Sequence, residues 1–197
     1  MSKASDLRYQ QDMAYLDTEP FQCRQVLAAH FLRPCSTILE IGGFVSPVSD
    51  FLVHQPERMI IIDPRITAGS DPLLRGRPCR FERIRSRFQD CTLALAPQSY
   101  GCAILGYSLK DMGTDPEQTA WSRLLTLVAQ ATVAVLEYAP DWPLAAQAMN
   151  RLMQDLAVAP ILDFGLDLGA GKPNSVEFPR RRMLVFRSAD GSAHGQR

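Results

Sequence analysis

Short apolar runs separated by longer, partly polar stretches recur along the chain. The runs are continuous rather than alternating, which is typical of strands buried on both faces, as in a parallel sheet. Helix-start signals lie between them, namely Ser46-Pro47, Asp115-Pro116 and Asp141 ahead of leucines at helical spacing. The runs occupy residues 37–41, 59–62, 102–105, 132–136, 160–164 and 183–186. Strands that alternate with helices predict right-handed crossovers and a doubly wound sheet.

The two ends of the chain depart from this alternation. Residues 5–17 and 21–32 read as one or two helices ahead of the first strand. The last two apolar runs are separated by a segment too short for a crossover helix but long enough for a hairpin, so they should pair antiparallel. With a further strand near residues 75–88, the pattern predicts an α/β three-layer sandwich. Its seven-stranded sheet would hold five parallel strands plus a C-terminal antiparallel hairpin.

Length, composition and charge narrow the class of protein. A chain of 197 residues with 46% hydrophobic residues favours one domain with a full core. The 21 basic and 21 acidic side chains balance, which argues against a nucleic-acid or membrane partner. The five scattered cysteines suit a reducing compartment and lack metal-ligand spacing. Because its start has no apolar signal segment, the chain is predicted to be cytoplasmic. The lack of metal-ligand spacing predicts that it holds no metal.

The stretch TILEIGGFVSP, residues 37–47, has the form of a nucleotide cradle. A buried strand ends in Gly42-Gly43, where the backbone can approach a ligand without a Cβ in the way. Asp63 ends the next strand, twenty-three residues after Glu40, where a carboxylate can accept hydrogen bonds from both hydroxyls of a ribose. The spacing predicts a cofactor site at the carboxyl ends of these strands.

The succession LEIGG, IIIDP, FQDC, CAILGYSL and AVLEY resembles the class I S-adenosylmethionine-dependent methyltransferases, over about residues 20–188. The resemblance implies S-adenosyl-L-methionine as cofactor and a Rossmann-like domain over residues 34–188. Residues 1–33 would be an N-terminal helical cap and residues 189–197 a flexible tail. By the resemblance, the residues at the cofactor would be Glu40, Gly42, Gly43, Phe44, Asp63, Pro64, Asp90, Cys91, Gly106, Tyr107 and Ser108.

The resemblance also implies residues outside the cofactor loop. N-terminal helices of this family often lie over the cofactor, so Tyr9 and Tyr15 are candidates for a contact with its sulfonium cation. An acceptor that must lose a proton needs a general base. The candidates, by position at strand ends, are Tyr107, Asp111, Glu137 and Tyr138.

The loop departs from the family's pattern at two positions. Phe44 and Ser46 stand where a full motif has glycine. The Phe44 ring should either narrow the pocket near the amino-acid tail of the cofactor or turn into the core. Because S-adenosylmethionine carries no pyrophosphate, the loop needs less glycine than a dinucleotide site, which argues against NAD and FAD.

Three functions remain open from the sequence. The first is a methyltransferase acting on a small molecule. The second is cyclisation of S-adenosylmethionine to azetidine-2-carboxylate with release of methylthioadenosine, in a pocket narrowed by Phe44. The third is a non-catalytic methyltransferase-like subunit that docks through the arginine-rich segment 75–88. That segment is otherwise explained as a strand at the sheet edge, where charged side chains block pairing with other chains.

Overall fold

A computed structural model describes residues 19–44, 47–105, 119–156, 158–167 and 180–188 of the chain. The α-helices in this part are α1 (Glu19–Phe31), α2 (Thr119–Gln130) and α3 (Pro143–Leu156). The strands are β1 (Thr37–Ile41), β2 (Arg58–Ile62), β3 (Gly69–Leu74), β4 (Arg77–Ile84), β5 (Gly101–Ile104), β6 (Val133–Tyr138), β7 (Leu162–Asp167) and β8 (Arg180–Arg187). None of the helices described is long and apolar enough to cross a membrane.

The strands form a single mixed sheet in the order β3-β4-β2-β1-β5-β6-β8-β7. Five of them, β4, β2, β1, β5 and β6, are parallel neighbours. Strand β8 pairs antiparallel with both β6 and β7, as the short segment between the last two apolar runs predicts. The predicted α/β doubly wound sheet is therefore confirmed, and so is its C-terminal antiparallel pair.

The predicted strand count of seven is wrong, because β3 adds an eighth strand. β3 pairs antiparallel with β4 through a tight turn in which Arg75 and Gly76 both have positive φ, at 55° and 75°. Such a turn matches the twist of a hairpin. Apart from Leu74, the side chains of β3 are exposed, and Pro72 accompanies an irregularity in its pairing, so the apolar pattern gives no strand signal. β3 and not the arginine-rich β4 is thus the edge strand.

The helix predicted to open at Ser46-Pro47 is reduced to a single 3₁₀ turn, Val48–Asp50. The segment between β1 and β2 is short and holds a second proline, Pro56, close to the start of β2. A second 3₁₀ turn, Phe88–Asp90, stands between β4 and β5. The helices predicted near residues 21–32 and after Asp141 are present as α1 and α3.

Alternate side chains of the parallel strands point to two different cores, as the period of a strand requires. Helices α2 and α3 cover one face, where residues such as Leu39, Ile60 and Leu136 are buried. Helix α1 covers the other face, packing against side chains that include Ile38 and Val135. The sheet thus lies between two helical layers, which confirms the three-layer arrangement.

Candidate functional site

The order of the strands reverses between β1 and β5. From β1 the chain adds β2 and β4 on one side, then returns to place β5 on the other. In open α/β sheets, ligands bind beyond the carboxyl ends of the strands at such a switch point. Here the carboxyl end of β1 leads into Gly42 and Gly43, and that of β2 into Asp63.

The glycine turn continues the pairing of β1 with β2. The backbone N–H of Gly42 donates to the Ile62 carbonyl at 2.9 Å, and Gly42 has a φ of 91°, which favours glycine. At Gly43, an added Cβ would lie 2.7 Å from Cδ of Glu40, closer than side-chain atoms pack. The turn therefore folds directly over the Glu40 carboxyl group, and a side chain at position 43 would displace it.

Glu40 is buried to 1% exposure under this turn. Its two carboxyl oxygens accept the backbone N–H of Val48 at 2.9 and 3.0 Å, which fixes the return of the loop into its 3₁₀ turn. No ion pair joins Glu40 to another residue in the described part of the chain. Burial raises the pKa of Glu40 to about 8, against the opposing effect of the Val48 hydrogen bond.

Asp63 is the second buried carboxyl group at this edge, with 8% exposure. Its Oδ1 accepts the backbone N–H of Arg65 at 2.7 Å, and the N–H groups of Ile66 and Phe44 also hydrogen-bond to it. Burial raises its pKa, and these three donors oppose the shift. Asp63 therefore joins the glycine loop to the loop after β2. A carboxylate has about four acceptor positions, so capacity remains for a ligand hydroxyl. Pro64, next to it, is exposed.

Phe44, at the first departure from the family's glycine pattern, is half-buried and packs against the core on the α1 face. Of the two expectations for this ring, the turn into the core is the one that the structure supports. The narrowed pocket on which the cyclisation hypothesis relied thus lacks support. Ser46 lies outside the described residues.

Glu137 and Tyr138, both predicted as candidates for a base, point to opposite faces of the sheet. Tyr138 is buried in the core under α2 and α3, where burial raises its pKa and its hydroxyl hydrogen-bonds Arg182. Glu137 faces α1, where it is fully buried. Because adjacent residues of a strand alternate in direction, the two side chains cannot serve one acceptor together.

Glu137 belongs to a buried ion cluster that sequence reasoning missed. Nη1 of Arg24, from α1, lies 2.7 Å from its Oε2, and Nε of Arg181, from β8, lies 3.5 Å from its Oε1. Both arginines are almost completely buried, at 3% and 2% exposure. The cluster joins α1, β6 and β8.

The structure describes two of the other candidates, Asp90 and Cys91. Asp90 is exposed in the 3₁₀ turn after β4 and forms an ion pair with Arg87 at 2.8 Å. Cys91 is half-buried against the core under α2. The remaining candidates lie outside the described residues, and their roles stay predictions: Tyr9, Tyr15, Gly106, Tyr107, Ser108 and Asp111. Within the described ranges, no group of three or more potential metal ligands is gathered.

Comparison with known proteins identifies similar solved structures. No protein-family model matches the sequence, and no curated protein matches it. The N-methyltransferase NodS from Bradyrhizobium japonicum WM9, solved in complex with S-adenosyl-L-homocysteine, is 16% identical. The match covers 94% of this chain and 97% of NodS, with a TM-score of 0.60.

A second solved structure gives the same result. A TehB-like SAM-dependent methyltransferase from Corynebacterium glutamicum is 15% identical, over 95% of this chain and 100% of that one, with a TM-score of 0.57. Identities this low establish the fold alone. The chain has the fold of the class I S-adenosylmethionine-dependent methyltransferases, as the succession of motifs predicts.

Proposed function

We propose that this chain, folded as a class I methyltransferase, is an S-adenosylmethionine-dependent methyltransferase that acts on a small molecule. The observation that carries the proposal is the pair of buried carboxyl groups, Glu40 and Asp63, on either side of the Gly42-Gly43 turn at the switch point. Buried carboxyl groups that lack an ion pair are costly, and they concentrate at sites that bind ligands.

The residues present suit S-adenosylmethionine. Asp63 would accept a hydrogen bond from a ribose hydroxyl at its remaining acceptor position, and Gly42 would let the backbone approach the cofactor. The positive sulfonium would lie in a region that holds two buried carboxyl groups, Glu40 and Asp63, whose hydrogen-bond partners are neutral backbone N–H groups. NodS, which shares the fold, holds S-adenosyl-L-homocysteine in its solved structure.

The chain's own contribution to methyl transfer would be orientation and the exclusion of water. The cofactor, when bound, supplies a methyl group already activated by a positive sulfur. An in-line displacement then depends on holding donor and acceptor in register. Only acceptors that must lose a proton need a base. Since Glu137 is held between two arginines and Tyr138 faces the other core, Tyr107 and Asp111 are the preferred candidates.

The choice of a small molecule, and of the cytoplasm, is supported by composition. Net charge is zero, whereas binding to the phosphates of a nucleic acid relies on many lysines and arginines. The structural match to the N-methyltransferase NodS covers 97% of NodS, so the two chains are similar in length. All five cysteines are free thiols, which suits the reducing cytoplasm.

A calorimetric titration with S-adenosylmethionine tests the cofactor. Wild-type protein should show saturable binding, and Asp63→Asn should weaken it roughly 10- to 100-fold, as expected when a charged hydrogen-bond acceptor is lost. Asp163→Asn is the matched control, because Asp163 is an exposed carboxylate on the edge strand β7 and should leave binding unchanged. Absence of binding at millimolar cofactor would refute the proposal.

The acceptor class is tested with cofactor carrying a labelled methyl group. Purified protein is incubated with a cell extract separated into small-molecule, RNA and protein fractions. Label should enter the small-molecule fraction and depend on Asp63. Label that enters RNA or protein instead would refute the small-molecule part of the proposal while leaving the methyltransferase activity in place.

A further inference from the structure

Glu40 differs from the other fully buried carboxyl group in how its charge is balanced. Glu137 contacts two guanidinium groups, whereas Glu40 accepts only the backbone N–H of Val48 and forms no ion pair within the described residues. Burying a charge without a partner is strongly unfavourable, so such a group stays neutral or is completed by a ligand of opposite charge.

The charged groups that surround Glu40 come from three elements. Asp50, in the 3₁₀ turn after the glycine loop, and Asp63, after β2, both disfavour its ionised form. Arg24, from α1, favours the ionised form, but its guanidinium contacts Glu137 at 2.7 Å. Burial and the two acidic neighbours prevail, so the pKa of Glu40 lies near 8 and the group holds its proton at neutral pH.

We propose that Glu40 is a specificity-determining residue that selects the cationic cofactor over its neutral product by giving up its proton when the cation is bound. This inference rests on the proposed function, since it assumes that S-adenosylmethionine occupies the site beside the Gly42-Gly43 turn. A sulfonium is positive, whereas the thioether of S-adenosylhomocysteine is neutral. The buried carboxylate then compensates a charge that only the cofactor carries.

The proton balance of the binding step is simple. In the empty protein the carboxyl group of Glu40 is neutral. On binding, the O–H bond of this group breaks, the electron pair stays on the carboxylate, and the proton passes to the buffer. The positive charge that enters with the sulfonium equals the positive charge that leaves with the proton. S-adenosylhomocysteine brings no sulfur charge, and the proton stays in place.

Calorimetry in two buffers that differ in ionisation enthalpy, such as phosphate and Tris at pH 7, counts the protons released. We expect close to one proton per S-adenosylmethionine and close to none per S-adenosylhomocysteine. The two ligands share the amino-acid tail and the nucleoside, and subtracting the proton counts of Glu40→Gln from those of the wild type removes any proton exchange by those groups. In Glu40→Gln, which retains an acceptor for Val48 but cannot ionise, the difference between the ligands should vanish.

A second measurement uses wild-type protein alone, in case the variant does not fold. At pH values below the pKa of Glu40, the ratio of the Kd of S-adenosylhomocysteine to that of S-adenosylmethionine should increase about tenfold for each unit by which the pH is raised. The reason is that one proton is released in one binding event. Binding of both ligands with equal proton counts, or a ratio independent of pH, would overturn this inference and leave the proposed function intact. Binding of neither ligand would overturn the proposed function and the inference with it.

Discussion

Replacement of Glu137 by glutamine distinguishes a structural role of this residue from a catalytic one. Glu137 is the carboxylate that Arg24 and Arg181 both contact, so its neutralisation removes two buried charge contacts at once. Arg24→Met removes only one. Breaking a buried ion pair by removing one partner costs about 3–5 kcal/mol. We therefore expect Glu137→Gln to lower the free energy of unfolding by about that amount, and Arg24→Met by less.

The assay is urea unfolding followed by circular dichroism, with Asp163→Asn as control. Asp163 pairs with Arg182 at 2.6 Å through two hydrogen bonds, but both side chains are partly exposed, at 34% and 48%. An exposed pair of this kind contributes about 0.2–1 kcal/mol. In thermal unfolding of a chain of this size, a loss of 3–5 kcal/mol lowers Tm by roughly 6–20 °C, whereas the control should shift Tm by about 4 °C or less.

Two results would refute this reasoning. If Glu137→Gln costs no more than Asp163→Asn, the buried contacts do not hold α1 on the sheet. If Glu137→Gln leaves stability unchanged and abolishes methyl transfer, Glu137 is the general base and the ion cluster is incidental to its role. A double variant Arg24→Met, Glu137→Gln should cost less than the sum of the single ones, because the two groups are in direct contact.

Three further perturbations follow from local geometry. Gly43→Ala should weaken cofactor binding at least tenfold in calorimetry without unfolding the protein, because the new Cβ displaces the Glu40 carboxyl group. Unchanged affinity would show that the turn tolerates a side chain. Gly101→Ala should destabilise by about 1–3 kcal/mol in urea, because its Cβ would lie 2.6 Å from a side chain of the α1 layer. Gly165→Ala serves as the control, because its Cβ would lie 3.9 Å from the backbone oxygen of Arg181, an ordinary contact distance. The free energy of unfolding should fall between about pH 4.5 and 8, because the folded chain keeps the Glu40 proton that the unfolded chain loses. The decline, up to about 5 kcal/mol, should be much smaller in Glu40→Gln, where the raised pKa of Asp63 still contributes.

The strands that form the centre of the sheet could be predicted from the sequence because burial on both faces leaves a continuous apolar run. TILEI coincides with β1, and each of the other apolar runs overlaps a strand, with ends that differ by at most three residues. The edge strand β3 could not be predicted from the sequence, because almost every side chain in it faces solvent. Its conformation is fixed by pairing with β4. Strand signals fade where a strand has no core to face.

The cofactor loop was predictable in part for a related reason. Gly42, Gly43 and Asp63 follow strand ends, and the carboxyl ends of neighbouring parallel strands meet at one edge, so sequence order alone brings them together. The direction of the Phe44 ring depends on the packing around the loop and had two open answers. The sequence predicts a helix start after the loop but not that only a 3₁₀ turn forms there, because a cap followed by proline marks where a helix can start and not how far it continues.

Part of the ion cluster at Glu137 is visible in the spacing of the sequence. Arg24, Ala28 and Leu32 recur at every fourth residue, and both apolar members are buried on the α1 face, so Arg24 belongs to the buried stripe of the helix. Arg181 alternates in the same way with buried residues of β8. A buried arginine requires a carboxylate, and β1 and β6 each carry one near the carboxyl end. Sequence spacing therefore predicts that Arg24 is paired, but not with which carboxylate. Strand order decides that: Glu137 stands beside β8 and contacts both arginines, whereas Glu40 stands beneath the glycine turn and accepts the backbone N–H of Val48.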